Sequence, residues 1–402
     1  MIRPLEGIKV LDLSRTLAGP YATMMLSDMG AEIFKIEEPA QGDESRRFFP
    51  PQWNGESCYY LAANRNKKSI TVNLKTPEGI ELIKKLAKEC DVLVENFRTG
   101  TMEKLGLGYD VIKEINPKMV FCSISGFGRT GPEKDRAGYD VLLQAYGGLM
   151  SITGTEEEPA KAGMSIADLS TGMFSAFSIV SALMGVQKNG VGQYLDASLL
   201  DSQVALLNHM ATGYYASGSS PKRMGTMHGT LVPYGGFKTK TDDIVIAVAN
   251  DGLWHKFCEA LCWSDLATDE RFLLNKNRVS NRVELEQLLN ERVLQMPCDD
   301  IIDKLTAAGV PCGPIQNIEQ VMNSPQVIAR EMMVEVKHPH VPDSKVPAFP
   351  VKFSGTPVTV QSPPPLLGEH TDEVLTMLGY TDEQIEQLSQ KNVISILATS
   401  PS

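Results

Sequence analysis

The chain has 402 residues, 42% hydrophobic and 22% charged, which excludes the disordered and fibrous classes and gives room for two or three domains. Its formal net charge of −11 argues against a general nucleic-acid or membrane-surface binder, because phosphate-rich partners demand a broad basic face. Seven cysteines, Cys58, Cys90, Cys122, Cys258, Cys262, Cys298 and Cys312, are scattered without a C-x-x-C pair, so a reducing compartment is expected and zinc is not.

The first ten residues carry neither an apolar signal run nor an Arg-rich leader, and a cytoplasmic location is expected. Short β-rich runs then alternate with helical stretches, the pattern of parallel βαβ units. Ile8 to Leu13 reads as a buried strand, followed by the turn Ser14 to Pro20 and a helix through Met29. Ala31 to Ile36 and Ser69 to Leu74 are the next strands. Thr76 and Pro77 mark the start of a helix through Glu89, with Ile80, Leu82, Ile83 and Leu86 at helical spacing. Val92 to Val94, Met119 to Ile124 and Gln193 to Ala197 complete the strand series. Met173 to Val186 is strongly apolar, but too short and serine-rich to span a bilayer.

Residues 213–223 turn to Gly, Ser, Tyr and Lys and read as a linker or surface loop. Tyr234 to Lys240 and Ile244 to Val248 predict a hairpin, with helical patterns up to Ala308, hence a small α+β domain. Val310 to Pro314 reads as a connection and Pro339 to Pro365 as Pro-rich and extended. One or two amphipathic helices end near Leu388.

The segment Gly163 to Gly172 places one carboxylate, Asp168, at the head of the apolar stretch. It is either a helix cap or a reacting group, and in both cases the positive end of the helix dipole favours its ionised form. Gly126 to Gly131 satisfies G-x-G-x-x-G. However, Pro132 to Asp135 follow where an apolar helix should open, so a nicotinamide site is not supported. Serine-hydrolase elbow, P-loop and zincin motifs are absent from the sequence. Positive charge gathers at Arg46 and Arg47, at Arg65, Lys67, Lys68 and Lys75, and at Arg98 and Lys104, either as phosphate holders or as solvated surface. Of the six histidines, only His228 sits in a glycine-flanked segment.

Together these segments resemble the class III CoA-transferases, the family that includes formyl-CoA transferase and carnitine CoA-transferase. The resemblance spans nearly the whole chain. It is carried by P-L-E-G-I-K-V-L-D-L-S with Ala18-Gly-Pro20, G-A-E-I-F-K-I-E from Gly30, Gly42-Asp43, N-R-N-K-K-S-I from Asn64, Val94 to Phe97, S-I-S-G-F-G, Gly138 to Asp140, the Asp168 segment and L-G-E-H-T-D. It implies an α/β fold in which a large Rossmann-like CoA-binding domain with a parallel sheet is built from residues 1–200 and 328–402. A small α+β domain covers 225–315, with linkers at 201–224 and 316–327, and two such chains interlock as a homodimer. The G-x-G-x-x-G run then belongs to a loop of that fold.

The resemblance assigns Asp168 as nucleophile, forming an acyl anhydride and then an aspartyl-CoA thioester, which requires neither ATP nor metal. It maps coenzyme A, as acyl-CoA, onto Leu17, Ala18, Val72, Lys75, Asn96, Phe97, Arg98, Lys104, Arg136 and Tyr139. Lys75, Lys104 and Arg136 would face phosphates. Glu38 replaces a basic residue of formyl-CoA transferase, and that enzyme's glycine-run loop is missing. The stretches from Met224 and Pro363 resemble the branch that passes CoA from succinyl-CoA to dicarboxylic acids, for which Arg15, Arg46 or His228 are candidates to pair with the distal carboxylate. The partners implied are an acyl-CoA and a small carboxylic acid. Two alternatives compete. An α-methylacyl-CoA racemase would need a base where this chain has Tyr139, a phenol with a pKa of about 10. A CoA-binding protein without activity would use Asp168 only as a cap.

Overall fold

The computed structural model describes residues 2–397. The chain divides into two compact units, one of Met1–Leu149, Ala162–Ser217 and Gln326–Ser402, the other of Met150–Lys161 and Gly218–Pro325. Residues 150–161 therefore cluster with the smaller unit, although the sequence reading places them in the large domain. Most of the expected linker is helical and belongs to the larger unit, as Leu199–Leu207 and His209–Ser217.

The larger unit holds a six-stranded sheet of β1 (Lys9–Asp12), β2 (Glu32–Glu37), β3 (Lys67–Thr71), β4 (Val92–Glu95), β5 (Val120–Ser125) and β6 (Gln193–Ser198). Every pairing is parallel, and the spatial order is β3-β2-β1-β4-β5-β6. Alternate residues feed two cores. Leu11, Phe34, Ile70, Leu93 and Phe121 share one with Leu82 and Leu86 of α2 (Pro77–Glu89) and Leu375 near the C-terminus. Val10, Ile33, Val92 and Val120 share the other with Ala22 and Leu26 of the preceding helix, Ala18–Asp28 (α1), and Ile179 of a later one. Burial on both faces is why these strands read as continuous apolar runs. At α2 the Thr76 hydroxyl accepts the Gly79 N–H, with Pro77 in the first turn.

Three further helices frame the site: α3 (Asp140–Tyr146), α4 (Ile166–Asn189) and α5 (Leu199–Leu207). At 24 residues α4 is long and apolar enough to cross a membrane by length and composition, so shortness does not exclude it. It packs Ala167, Ala176, Ile179, Ala182 and Leu183 into the core instead. Met173, Phe174, Phe177 and Met184 on the same helix are exposed.

Several of the sequence's basic residues are buried or, for Arg46, largely so. Arg65 forms an ion pair with Asp28 at 2.6 Å, Lys67 with Asp12 at 3.3 Å, Lys35 with Asp43 at 2.8 Å and Arg46 with Glu37 at 2.7 Å. Arg65 and Lys67 thus bind this unit together and are not a surface for phosphates.

In the smaller unit β7 (Tyr234–Lys238), β8 (Asp243–Ala247) and β9 (Cys312–Pro314) form an antiparallel sheet in the order β9-β8-β7. The stretch read as a connection at Val310 to Pro314 is an edge strand, an environment that tolerates proline. Trp254, Phe257 and Phe272 fill the core behind it. In the larger unit, the expected extended region after Pro339 contains one strand of a hairpin, Ser344–Pro347 against Met333–Val336.

Candidate active site

In a doubly wound sheet, ligands bind beyond the carboxyl ends of the strands where the strand order reverses. Here that point lies between β1 and β4. A cavity of about 360 Å³ opens there, lined by residues 15–18 after β1, 96–99 after β4, 124–126 at the end of β5 and 134–139 beyond it, and by Glu44, Asp168 and Leu199. Asn96 ties the first two loops together: its Oδ1 accepts the Arg15 N–H at 2.8 Å and its Nδ2 donates to the Arg15 carbonyl at 2.7 Å.

Thr16 adopts a left-handed conformation with φ of 72°, an arrangement that costs about 1–3 kcal/mol. Asp43 holds it there by accepting the Thr16 N–H at 3.0 Å. Burial alone would raise the Asp43 carboxyl, but the Lys35 ammonium and the Ser45 and Thr16 N–H groups outweigh it and hold it at about 2. The first loop is therefore fixed by a buried, fully charged pair.

The cavity carries the cations Arg15, Arg98, Lys134 and Arg136. Arg15 pairs with Glu44 at 3.1 Å and lies 5.0 Å from the Phe97 ring. Arg136 lies 5.1 Å from each of the Phe127 and Tyr146 rings. Cations beside aromatic faces suit a substrate with both phosphates and apolar parts.

Asp168 stands at the third position of α4, after the N-cap Ser165, whose side chain makes no cap bond. The capping is done from elsewhere: Asp140 Oδ1 accepts the Ala167 N–H at 2.8 Å and the Asp168 N–H at 3.4 Å. Burial first, and the Asp140 charge second, push the Asp168 carboxyl up to about 7. The expectation of a firmly ionised group at a helix start is overturned, because desolvation and a like charge exceed the dipole's effect.

Of the residues assigned from the family resemblance, Leu17, Ala18, Asn96, Phe97, Arg98, Arg136, Tyr139 and Asp168 line this cavity. Val72, Lys75 and Lys104 do not: Val72 is buried in the core, and the two lysines are exposed. Among the three candidates for a distal carboxylate, only Arg15 lines the cavity. Arg46 lies outside it, spent on both carboxylate oxygens of Glu37 at 2.7 Å and stacked 3.7 Å from the Tyr60 ring. His228 belongs to the smaller unit, where its Nδ1 accepts the Thr230 N–H at 3.2 Å. Glu38 caps its own turn, accepting the Ala40 and Gln41 N–H groups. Asp140 and Lys134 escape a reading of the sequence, Asp140 because the helix it caps starts 26 residues further on.

The glycines of the G-x-G-x-x-G run have a structural use. A Cβ on Gly126 would meet the Gly138 Cα at 2.9 Å, where two walls of the cavity touch. Among the described residues no group of three or more metal-ligating side chains is assembled.

A doubly wound α/β protein whose switch-point cavity is lined by four cations against the three carboxylates Glu44, Asp135 and Asp168 is built to handle a small anionic substrate. The chain belongs to CoA-transferase family III, whose model matches residues 5–371, and it is a CoA-transferase. It is 44% identical over 395 residues to a human succinyl-CoA:glutarate CoA-transferase, covering 98% of this chain and 90% of that one. Identity to a succinate–glutarate CoA-transferase of Agrobacterium fabrum is 41% over 384 residues, covering 93% and 96%. A crystal structure of a CAIB/BAIF family protein from Brucella suis matches with a TM-score of 0.85 at 40% identity, covering 94% of this chain and all of that one.

Proposed function

We propose that the enzyme moves CoA from succinyl-CoA to a dicarboxylate acceptor, with Asp168 as the covalent carrier. The observation that carries this reading is the position of Asp168, at a cavity whose other walls supply Arg15, Arg98, Lys134 and Arg136. The substrates are supported by the relatives named for succinyl-CoA with glutarate.

The ionised Asp168 carboxylate attacks the thioester carbonyl; the C–S bond breaks, giving a mixed anhydride and CoA thiolate. The thiolate then attacks the aspartyl carbonyl, the donor leaves as free carboxylate, and an aspartyl-CoA thioester remains. The acceptor carboxylate attacks that thioester to form a second anhydride. Return of the thiolate to the acceptor's acyl carbon completes the new acyl-CoA and restores Asp168. Each step exchanges one acyl bond for another. With its carboxyl at about 7, Asp168 is substantially ionised at neutral pH yet poorly solvated, and a poorly solvated carboxylate is the more reactive nucleophile.

Arg15 is the residue we assign to the distal carboxylate, by exchanging its Glu44 partner for substrate. Lys75 and Lys104 would serve the outer phosphates of CoA, and the larger unit would be the CoA-binding domain. Free thiols at all seven cysteines support a reducing, cytoplasmic setting. The homodimer of the family is also proposed, with the exposed apolar face of α4 as support.

The test is an acceptor panel with succinyl-CoA as donor. Five-carbon and six-carbon dicarboxylates should be used well and the matching monocarboxylates poorly. Arg15→Gln should raise KM for the dicarboxylates about tenfold or more, the worth of a charge-assisted hydrogen bond, and leave the monocarboxylates unaffected. Equal use of both acid classes by the wild type would remove the dicarboxylate reading.

A further inference from the structure

We propose that Asp140 is a positioning residue for the nucleophile: its carboxylate takes up the open backbone N–H groups at the start of α4 and so leaves the Asp168 side chain free to face the cavity. This inference rests on Asp168 being the nucleophile.

The first four N–H groups of any helix lack partners within it, and a carboxylate in the first turn is the usual side chain to satisfy them. In α4 the nearest such carboxylate is Asp168 itself. Were it to cap its own helix, it would be held against the backbone and lost to chemistry. Asp140 removes that competition by accepting the Ala167 N–H at 2.8 Å, with the Asp168 N–H at 3.4 Å from the same oxygen.

Asp140 is in turn held by Gln144, one turn further along α3. Gln144 Nε2 donates to Asp140 Oδ2 at 2.7 Å, while Gln144 Oε1 accepts the Ala162 N–H at 2.8 Å. The Gln144 side chain is fully buried, so both its amide groups are committed. Residues four apart on a helix share a face, and here that face grips the segment 162–168 at both ends. A glutamine and an aspartate thus set where Asp168 stands before any substrate arrives.

The second consequence is electrostatic. Asp140 is the charged neighbour that, after burial, most disfavours ionised Asp168. The other charged side chains lining the cavity are Arg15, Glu44, Arg98, Lys134, Asp135 and Arg136.

Two variants separate the roles. Asp140→Asn keeps an acceptor oxygen for the Ala167 N–H but removes the charge; Asp140→Ala removes both. Amide hydrogen exchange should speed up about fivefold or more in the peptide spanning residues 162–172 of Asp140→Ala, as expected for a lost cap, and stay near wild type in Asp140→Asn. In single-turnover acylation by succinyl-CoA, the acidic limb of the pH profile should move down by about one unit in Asp140→Asn, because a like charge has gone. Asp140→Ala should lose kcat while KM for succinyl-CoA holds. Unchanged exchange in Asp140→Ala, or an unmoved limb in Asp140→Asn, would overturn the proposal. If Asp140→Ala does not fold, Gln144→Leu decides: without the amide that holds Asp140 and the Ala162 N–H it should speed exchange in the same peptide, and unchanged exchange there would overturn the proposal. Failure of the wild type to become acylated at Asp168 would sink the nucleophile assignment instead, while the exchange measurement would still report on the cap.

Discussion

At the residue scale, the fate of a charged side chain follows from partners far away in sequence. Asp168 was recognisable as a lone carboxylate heading an apolar helix, but its raised pKa was not, because burial and Asp140 act only once the chain is folded. The same applies to Arg46, Arg65 and Lys67. As a sequence they read as basic clusters, yet their acids Glu37, Asp28 and Asp12 lie elsewhere along the chain and close around them only in the folded unit. Asp168 also carries a stability cost whose sign can be worked out. Its carboxyl titrates at about 7 when folded and at about 3.9 when unfolded, so the stability it lends is complete below 3.9 and lost as pH rises through 7. Asp168→Asn should therefore melt at a higher temperature than the wild type at pH 8, by several degrees, with the gap closing toward pH 4. A wild type that is the more stable of the two at pH 8 would contradict the raised pKa.

At the element scale, the strands were legible and their order was not. Parallel strands buried on both faces announce themselves as apolar runs, but no local signal says that β1 pairs with β4. The edge strand Cys312–Pro314 was hidden by the proline before it and the one at its end; a helix from Leu199 onward was legible, but its last stretch, Gly213 to Ser217, was masked by small and polar residues. The contact that positions the nucleophile is likewise non-local. Gly172, one turn after Asp168, lets α4 approach α1 so closely that a Cβ there would lie 2.8 Å from the Ala18 carbonyl oxygen. Ala18 lines the cavity, so this contact sets the depth of Asp168 relative to the first loop. Gly172→Ala should cost about 1–3 kcal/mol in a urea melt as an overpacked contact. By displacing the reacting carboxylate it should also lower kcat about tenfold to a hundredfold, with KM for succinyl-CoA much less affected. Wild-type kcat in a destabilised Gly172→Ala would show that the contact serves folding alone.

At the scale of the whole molecule, family membership was legible because its motifs recur in order along most of the chain, matching a family model over residues 5–371. Assembly is the larger open expectation. Phe177 is 74% exposed and Met184 56% exposed on α4, an apolar face of the kind that soluble chains usually cover. Phe177→Glu should convert a dimer, seen by sedimentation equilibrium of the wild type, into monomer; a monomeric wild type would leave the interlocked dimer without support. The covalent role of Asp168 is reached most directly by trapping. After incubation with succinyl-CoA and quenching with hydroxylamine, peptide mass spectrometry should find a hydroxamate on Asp168 in the wild type and none in enzyme that has seen free CoA and succinate without thioester. Full exchange activity with an unmodified Asp168 peptide would mean that CoA passes between acids by some other route.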